Sequence, residues 1–492
     1  MRFLFFSIIF SLAFFIQTPA QNSKLVKGLL LDSKTQEALP YSNIVVLHKY
    51  FGTVSNESGY FSLDTTSLSM DDSVSFQYIG YKTKVLLLNK LIEQDTIYLT
   101  EELISLSEAF VFGNPLDPKT IIKRVIENKD KNYPKRATKA QTFIRWRNIS
   151  DIEKATLNVK KNSIKELDEA SLQNAADKLP RHNTSYTDFL GDLYFSSAKD
   201  DSLKIAPTRT VSLEREKIDE LSQMAEIFEN LFKKSDEEEY WKVKSGILSQ
   251  KLTIEDPVDE DSTSNNDDNT VRTKYYSSSI ENKMAYSLLN DKDQWEFLYK
   301  TGKYNYSLIG GTKVNGEDVY IIDFSPKGSG LFEGRAYVSM STYALIRADY
   351  EYAAGKTGRD FHMFGVGYSM NYFSGSIYFE KKDNNYCLKY FSLKSGQDFS
   401  VDRKVSLVKK RKRFFWDKTL KEIKVGLVFQ VSSVESIEML LLSNQEIKQQ
   451  DYTQFKQKDK MEIIYTDHFS DNLWKGYPSI EPTKRMREYV KP

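Results

Sequence analysis

Residues 52–63 read GTVSNESGYFSL, and this stretch decides the fold of the N-terminal part of the chain. The runs on either side of Asn56-Glu57-Ser58-Gly59 favour strands, and Asn and Gly tolerate the positive φ angles that tight turns require. We therefore predict an antiparallel hairpin in which Val54 and Phe61 face inward. The stretch has no nucleophile–base pair and no metal-ligand spacing, so we interpret it as a structural turn.

The flanking sequence extends this pattern over residues 24–100. Short apolar runs such as KLVKGLLLD, YSNIVVLHKY, DSVSFQYIGYKTKVLLL and DTIYLT are separated by turn residues, with no helical pattern between them. Strand–turn units at a spacing of about 8–12 residues are typical of a small β-sandwich or barrel.

These runs resemble the carboxypeptidase-regulatory-like domain, a transthyretin-like β-sandwich common in exported proteins of Bacteroidetes. The shared features are the G-x-x-x-D start, the ALPYSNI turn, the G-T-V-x-N-x-x-G-x-F segment and the I-G-Y step. Asn56 stands where Asp is common in that family. The resemblance covers residues 24–100 and implies a non-catalytic module, although the family is named after a zinc enzyme.

The N-terminus, MRFLFFSIIFSLAFFIQTPAQ, predicts a secretory signal peptide over residues 1–20 with cleavage after Ala20. The alternative is a membrane anchor, but the apolar run Phe3–Ile16 is shorter than the roughly 18–20 residues that span a bilayer. No Cys follows this run, so we predict an exported protein of the periplasm or outer membrane that is not a lipoprotein. We also predict no transmembrane helix after signal cleavage.

Composition narrows the function classes further. The 69 basic and 68 acidic side chains nearly cancel, which leaves no bulk positive field for nucleic acid. Cys387 is the single cysteine, so an internal disulfide is excluded and the exported chain must rely on buried apolar area.

Residues 101–140 read as a linker and a helix, with Asp117 as N-cap, Pro118 at the first helical position and a stop at Tyr133–Pro134. This arrangement resembles a Bacteroidetes family of unknown function. QTFIRWRNIS (141–150) predicts a strand, and residues 215–234 predict an amphipathic helix packed on its own sheet, with a membrane or partner helix as the alternative. Residues 255–270 carry seven acidic residues and no Gly, which predicts a disordered insert and does not fit the EF-hand calcium-loop pattern.

Residues 301–400 alternate between apolar and polar side chains and predict an antiparallel meander with turns at Gly310–Gly311 and Asn315–Gly316, among others. The pattern GTKVNGEDVYIIDFSPKGSG…EGRAYVSMSTYALIRADYEY resembles the LolA/LolB-like half-barrel of lipoprotein carriers. That resemblance implies an apolar face able to hold an acyl chain. Residues 431–492 are predicted to be a C-terminal extension in which Trp474, Tyr477 and Ile480 dock onto the sheet.

No motif for chemistry emerges. The four His residues lack metal-motif spacing, the AAGKTGRD segment (353–360) misses a P-loop, and no G-x-S-x-G elbow exists. We interpret Cys387 as a packing residue. The basic and aromatic run 404–418 predicts either a charged sheet edge or a site for anionic lipid or acidic glycan. The sequence thus nominates no catalytic residue, no cofactor-binding residue and no metal ligand, and no cofactor.

Together these patterns predict a mainly β protein. It has an N-terminal transthyretin-like sandwich (24–100), then an α+β domain (141–430) built on an antiparallel half-barrel-like sheet with few helices. Two functions stay open. One is a non-enzymatic binding or assembly protein that holds an apolar ligand or lipid, or binds an outer-membrane protein. The other is a secreted hydrolase, such as a glycosidase, whose site is built from scattered carboxylates.

Overall fold

The computed structural model describes residues 25–49, 51–102, 117–165, 167–198, 201–213, 238–246, 248–252, 269–314, 316–413 and 416–490. The chain divides into two compact units. The smaller comprises Met1–Tyr78, Lys82–Thr100 and Ser470–Thr483, and the larger comprises Ile79–Tyr81, Glu101–Phe469 and Lys484–Pro492. The predicted signal peptide lies outside the described residues.

The smaller unit consists of seven strands, one short helix and a 3-10 turn at Asp471–Trp474. The elements are β1 (Leu25–Asp32), β2 (Asn43–Val46), β3 (Phe51–Val54), β4 (Tyr60–Asp64), β5 (Ser73–Gln77), β6 (Lys84–Leu87), α1 (Leu88–Leu91) and β7 (Thr96–Leu99). They form a three-stranded sheet in the order β4-β1-β7 and a four-stranded sheet in the order β3-β2-β5-β6. The predicted two-sheet sandwich is therefore confirmed.

The predicted hairpin within residues 52–63 is wrong. β3 pairs with β2 and β4 pairs with β1, so the turn between β3 and β4 carries the chain from one sheet to the other. Val54 and Phe61 are both buried, as predicted, because each faces the space between the sheets. Local turn chemistry is the same for a hairpin and for such a crossing, which is why the sequence pattern did not separate them.

Asn56 holds this turn through its side chain. Its Oδ1 accepts hydrogen bonds from the main-chain N–H groups of Ser58 (2.9 Å) and Tyr60 (3.1 Å). Its Nδ2 donates to the carbonyl oxygens of Glu481 (3.0 Å) and Pro482 (3.4 Å). The segment Ser470–Thr483 thus belongs to the smaller unit, which also buries Trp474 and Ile480.

The larger unit is built mainly from long strands. Its helices are α2 (Pro118–Glu127), α3 (Lys129–Asn132), α4 (Glu169–Asp177), α5 (Thr273–Met284), α6 (Glu296–Tyr299), α7 (Gln449–Gln454) and α8 (Lys484–Arg487). Its strands up to the meander are β8 (Thr138–Asn162), β9 (His182–Phe195), β10 (Lys204–Leu213), β11 (Glu239–Ser245), β12 (Leu248–Leu252) and β13 (Thr270–Arg272). The remaining strands are β14 (Tyr304–Val314), β15 (Glu317–Pro326), β16 (Phe332–Ser339), β17 (Leu345–Tyr352), β18 (Asp360–Met363), β19 (Val366–Lys382), β20 (Asn385–Arg411), β21 (Lys418–Leu441), β22 (Gln445–Glu446), β23 (Lys460–Glu462) and β24 (Ile464–Thr466).

One open sheet dominates this unit. Its main path runs β14-β15-β16-β17-β19-β20-β21-β8-β9-β10-β24, while β11, β12, β18 and β22 attach to its sides. The long central strands β20, β21 and β8 have 27, 24 and 25 residues. The prediction of a mainly β chain with an antiparallel meander and few helices is confirmed.

Local predictions in this unit had different outcomes. The helix at 118–127 is confirmed, with the Asp117 side chain accepting from the Thr120 N–H and Pro118 in the first turn. The predicted turn at Gly310–Gly311 is wrong, because both glycines lie inside β14 beside an irregularity in its pairing. The predicted helix 215–234 and residues 255–268 of the acidic insert lie outside the described residues. Within the described part of the chain, no helix is long and apolar enough to cross a bilayer.

Candidate ligand-binding surfaces

One face of the large sheet passes from a buried core to an exposed apolar surface. Alternate residues of a strand share a face, so Leu393 and Phe399 of β20 lie on the same side of the sheet. Leu393 is 8% exposed, whereas Phe399 is 39% exposed. The same strand therefore contributes first to the core and then to an apolar surface that stays accessible.

The strand register assembles this surface from two rows of side chains. Directly paired residues of antiparallel strands point to the same face. The first row runs across β18, β19, β20, β21 and β8 as Phe361, Tyr368, Phe399, Val431 and Ile152. The second runs across the same strands as Met363, Val366, Val401, Phe429 and Ala155. We call these ten residues the apolar patch.

The apolar patch is accessible although each member has strand neighbours. Phe361 is 46% exposed and Met363 is 50% exposed, and of the ten residues only Ala155 is buried. Five strands span about 19 Å and two rows about 14 Å, so the footprint is about 270 Å². The largest apolar patch of a typical soluble monomer covers about 300–600 Å² and is often functional, so the apolar patch lies near the lower end of that range.

Covered regions lie on both sides of the patch. On one side an aromatic core buries Phe373, with Phe297 stacked on Phe324 at 4.1 Å and Trp295 5.5 Å from Tyr350. On the other side a small separate core includes Leu172 of α4, Trp241, Leu407 and Ile423, with Leu157 and Val425 packed against it. Among the described residues, the patch is thus an interval without a packed element between two covered regions of this sheet face.

Arg403 adds a positive charge at one border of the patch. It lies two positions beyond Val401 on β20 and therefore shares its face. Its guanidinium donates to the carbonyl oxygen of Ser245 at 2.8 Å. Within the residues that the structure describes, no carboxylate forms an ion pair with Arg403. The arrangement provides an apolar floor with a cation at its edge.

A separate cavity of about 1070 Å³ lies at the end of the β19–β20 hairpin. Tyr133, Met284, Phe379, Leu388 and Leu441 contribute apolar surface, and Cys387 also lines it. Burial raises the pKa of the Cys387 thiol. Burial also raises the pKa of Tyr386 to about 12, so its phenol stays protonated and donates to Glu317 at 2.6 Å.

The charged side chains of this cavity are mostly held by neighbours. Glu446 pairs with Arg136, Asp201 accepts from Ser196 at 2.6 Å, and Glu281 accepts from the Leu203 N–H at 3.2 Å. Carboxylates so engaged act as structural acceptors. The lining mixes both charge signs, although most of its accessible surface is apolar.

The most buried carboxylates are also structural. Asp188 forms a bidentate pair with Arg145, at 2.8 and 2.7 Å. Glu296 accepts from Lys303 (2.6 Å) and from the Tyr304 hydroxyl (2.8 Å). Burial acts to raise the pKa of Glu296, but these hydrogen bonds outweigh it and lower the pKa, whereas a general acid needs a raised pKa.

The histidines do not form a metal site in the described part of the chain. His182, His362 and His468 each contact a nearby Asp at the surface, with side chains that are more than half exposed. Across the described ranges, no group of three or more His, Cys, Asp or Glu residues could hold a metal ion.

The smaller unit, with its two sheets and its G-T-V-x-N-x-x-G-x-F segment, is similar to a known domain family. Residues 26–111 match the CarboxypepD_reg-like domain family. The CarboxypepD_reg-like match ends well before the apolar patch and the cavity, so both surfaces lie outside it. No curated protein matches the chain.

The solved structures that resemble this chain are only remotely similar to it. A LolA superfamily protein from Nitrosomonas europaea is 9% identical, with 69% of this chain and 99% of that chain covered and a TM-score of 0.17. A "putative outer membrane lipoprotein-sorting protein domain" from Vibrio parahaemolyticus is 9% identical, with 68% of this chain and 97% of that chain covered and a TM-score of 0.20. The Pseudomonas aeruginosa MucA/MucB complex is 10% identical over 67% and 99%, with a TM-score of 0.17. Scores this low support no conclusion about ligand or partner.

Proposed function

We propose that this chain is an exported, non-enzymatic binding protein of the periplasm or outer membrane, and that the apolar patch holds the acyl part of a lipid or a similar amphiphile. The carrying observation is the uncovered interval on the apolar face of the large sheet. Its strands alternate apolar and polar residues, which is the pattern of a sheet with one packed face. A ligand that fills the interval completes that packing.

Hydrophobic burial of an acyl chain on the patch would contribute to the free energy of binding. Each CH₂ group removed from water contributes about 0.8 kcal/mol, so an acyl chain of several carbons laid on the patch gains substantial affinity. Arg403 at the border suits an anionic head group, because an unpaired guanidinium near an apolar surface favours a carboxylate or phosphate. The favoured ligand is therefore an anionic amphiphile.

The hydrolase alternative is supported by no specific observation. The buried carboxylates Asp188 and Glu296 accept structural hydrogen bonds, and in the cavity Asp201, Glu281 and Glu446 are engaged by neighbours. A glycosidase needs two carboxyl groups that face a substrate across a cleft, one of them with a raised pKa. Binding without chemistry is the function that this geometry supports best.

The test is native mass spectrometry with lipid extraction on the purified chain, together with binding of N-phenyl-1-naphthylamine. The variant Phe361→Gln/Phe399→Gln changes two exposed patch residues, so folding should be little affected. The matched control His362→Gln/Ser400→Asn changes the same two strands on the opposite face. We expect the patch variant to lose most of the co-purified lipid and probe binding, and the control to keep both.

Two results would contradict the proposal. One is an apo mass without probe binding for the unmodified chain. The other is binding that the patch variant keeps but that Leu388→Gln, in the separate cavity, abolishes. The second result would move the ligand to the cavity and leave the patch without this role.

A further inference from the structure

The face opposite the apolar patch carries four lysines that form no ion pair within the described part of the chain. Lys404 and Lys424 lie on β20 and β21, and Lys242 and Lys244 lie on β11, which pairs with the end of β20. Lys244 pairs with Ser406, which in turn pairs with Lys424, and Lys242 pairs with Val408. Because paired and alternate positions share a face, these four lysines form one surface, which we call the lysine face.

The local charge balance is positive. Within the described part of the chain, none of the four lysines forms an ion pair with a carboxylate. Lys161 lies opposite Lys424 in the strand pairing of β8 with β21. Glu422 forms an ion pair with Lys161 at 2.7 Å and neutralises the charge of Lys161. Asp402 is the acidic residue next to Lys404 on the same face, so a net positive charge remains. Like charges on neighbouring strands repel, and an anionic partner would relieve this repulsion.

An exposed aromatic turn lies beside the lysine face. Phe364 and Gly365 connect β18 to β19 with φ angles of +52° and +75°. Phe364 is 59% exposed, and Met363 before it is 50% exposed. The Gly365 carbonyl accepts from the Asp402 N–H at 2.7 Å, which fixes the turn two residues from Lys404.

Phe364 has a main-chain conformation that is unusual for a bulky residue. Two-residue turns with positive φ at both positions favour Asn-Gly, and a bulky residue in this region is uncommon. Such backbone outliers at an exposed position suggest a functional reason. Here the strained position displays a large apolar ring to solvent close to Lys404, at the end of the lysine face.

We propose that this end of the larger unit docks on an anionic phospholipid bilayer, with Phe364 inserted at the interface and the lysine face over the head groups. Aromatic side chains favour the membrane–water interface, and lysines near an anionic leaflet are attracted to it. A soluble polyanion would account for the lysines but leaves the exposed apolar turn without a role. The inference does not require that the apolar patch binds a ligand.

The test is co-sedimentation of the full chain with vesicles of phosphatidylcholine alone or of phosphatidylcholine with phosphatidylglycerol. We expect binding to the anionic vesicles only, and weaker binding at high salt. Lys404→Gln/Lys424→Gln should reduce it about tenfold or more, and Phe364→Asn should reduce it as well. Lys456→Gln/Lys458→Gln and Ile309→Asn are the matched controls and should bind like the unmodified chain.

Other outcomes overturn the proposal. These are no binding to either vesicle, equal binding to both, or binding that the lysine variant keeps. Inhibition by soluble polyanion together with normal binding by Phe364→Asn would assign the surface to a soluble polyanion instead. Co-purified lipid, measured on the same variants, should not change, which separates this result from the outcome for the apolar patch.

Discussion

The side-chain amide of Asn56 donates to the carbonyl oxygen of Glu481 at 3.0 Å, although the two residues are 425 positions apart in the chain. Asn56 is fully buried, and its other side-chain atom accepts from the main chain of the turn. One residue therefore fixes both the crossing between the two sheets and the C-terminal segment of the smaller unit.

Asn56→Asp should destabilise the smaller unit. Asp keeps the acceptor for the turn but loses the donor, and its carboxylate would face the carbonyl oxygens of Glu481 and Pro482. Leaving such a buried contact unsatisfied costs about 1–3 kcal/mol, measurable as a lower midpoint of thermal or urea unfolding. Asn472→Asp makes the same change at an exposed position of the same segment. Equal midpoints for the two variants would contradict the role of Asn56.

Gly59→Val should also destabilise the smaller unit. Gly59 has φ +81°, and a Cβ there would lie 2.7 Å from the Leu30 carbonyl oxygen. The left-handed conformation alone costs an ordinary residue about 1–2 kcal/mol, and the close contact adds to this. Gly80→Val isolates the conformational cost, because Gly80 has φ +92° with no atom within 4 Å of its added Cβ. We expect a larger loss of unfolding free energy at Gly59, and an unchanged melting profile there would disprove it.

Glu296 gives a pH-dependent prediction. Burial opposes ionisation, but the bonds from Lys303 and Tyr304 lower the folded-state pKa below 4.5. Because the pKa is lower in the folded state, the ionised carboxylate stabilises the fold at pH values above its unfolded-state pKa. This contribution is lost as the pH falls through the folded-state pKa. Glu296→Gln should therefore cost about 2 kcal/mol near neutral pH, and the difference from the unmodified chain should shrink in acid. The exposed control Glu462→Gln should change stability by less than about 0.5 kcal/mol, and a difference for Glu296→Gln that is constant with pH would contradict the argument.

Phe364→Asn separates stability from binding. Asn fits a positive φ better than Phe, and the exposed Phe ring contributes little burial, so we expect unfolding free energy to stay equal or to rise by up to about 1 kcal/mol. The same variant should bind anionic vesicles less well. A variant that is less stable than the unmodified chain would show that Phe364 is retained for packing and not for display.

Sequence patterns were sufficient where the deciding interactions are local. Turn residues and short apolar runs predicted a small β-sandwich or barrel, and the family resemblance implied the sandwich. Asp117 with Pro118 predicted the start of α2. Alternation predicted the strands of the meander. The same local signals did not distinguish a hairpin from a sheet crossing at residues 52–63, because both place the same residues in the turn.

The sequence by itself determined the mainly β fold class of this protein, through short alternating strands and turn chemistry. Tertiary structure alone decided where those strands meet. Ile152, Phe361, Phe399 and Val431 are far apart in the chain and form one surface only because four strand pairings set them in a row. Register depends on pairing between distant segments, and a shift by one residue would turn each of these side chains to the opposite face.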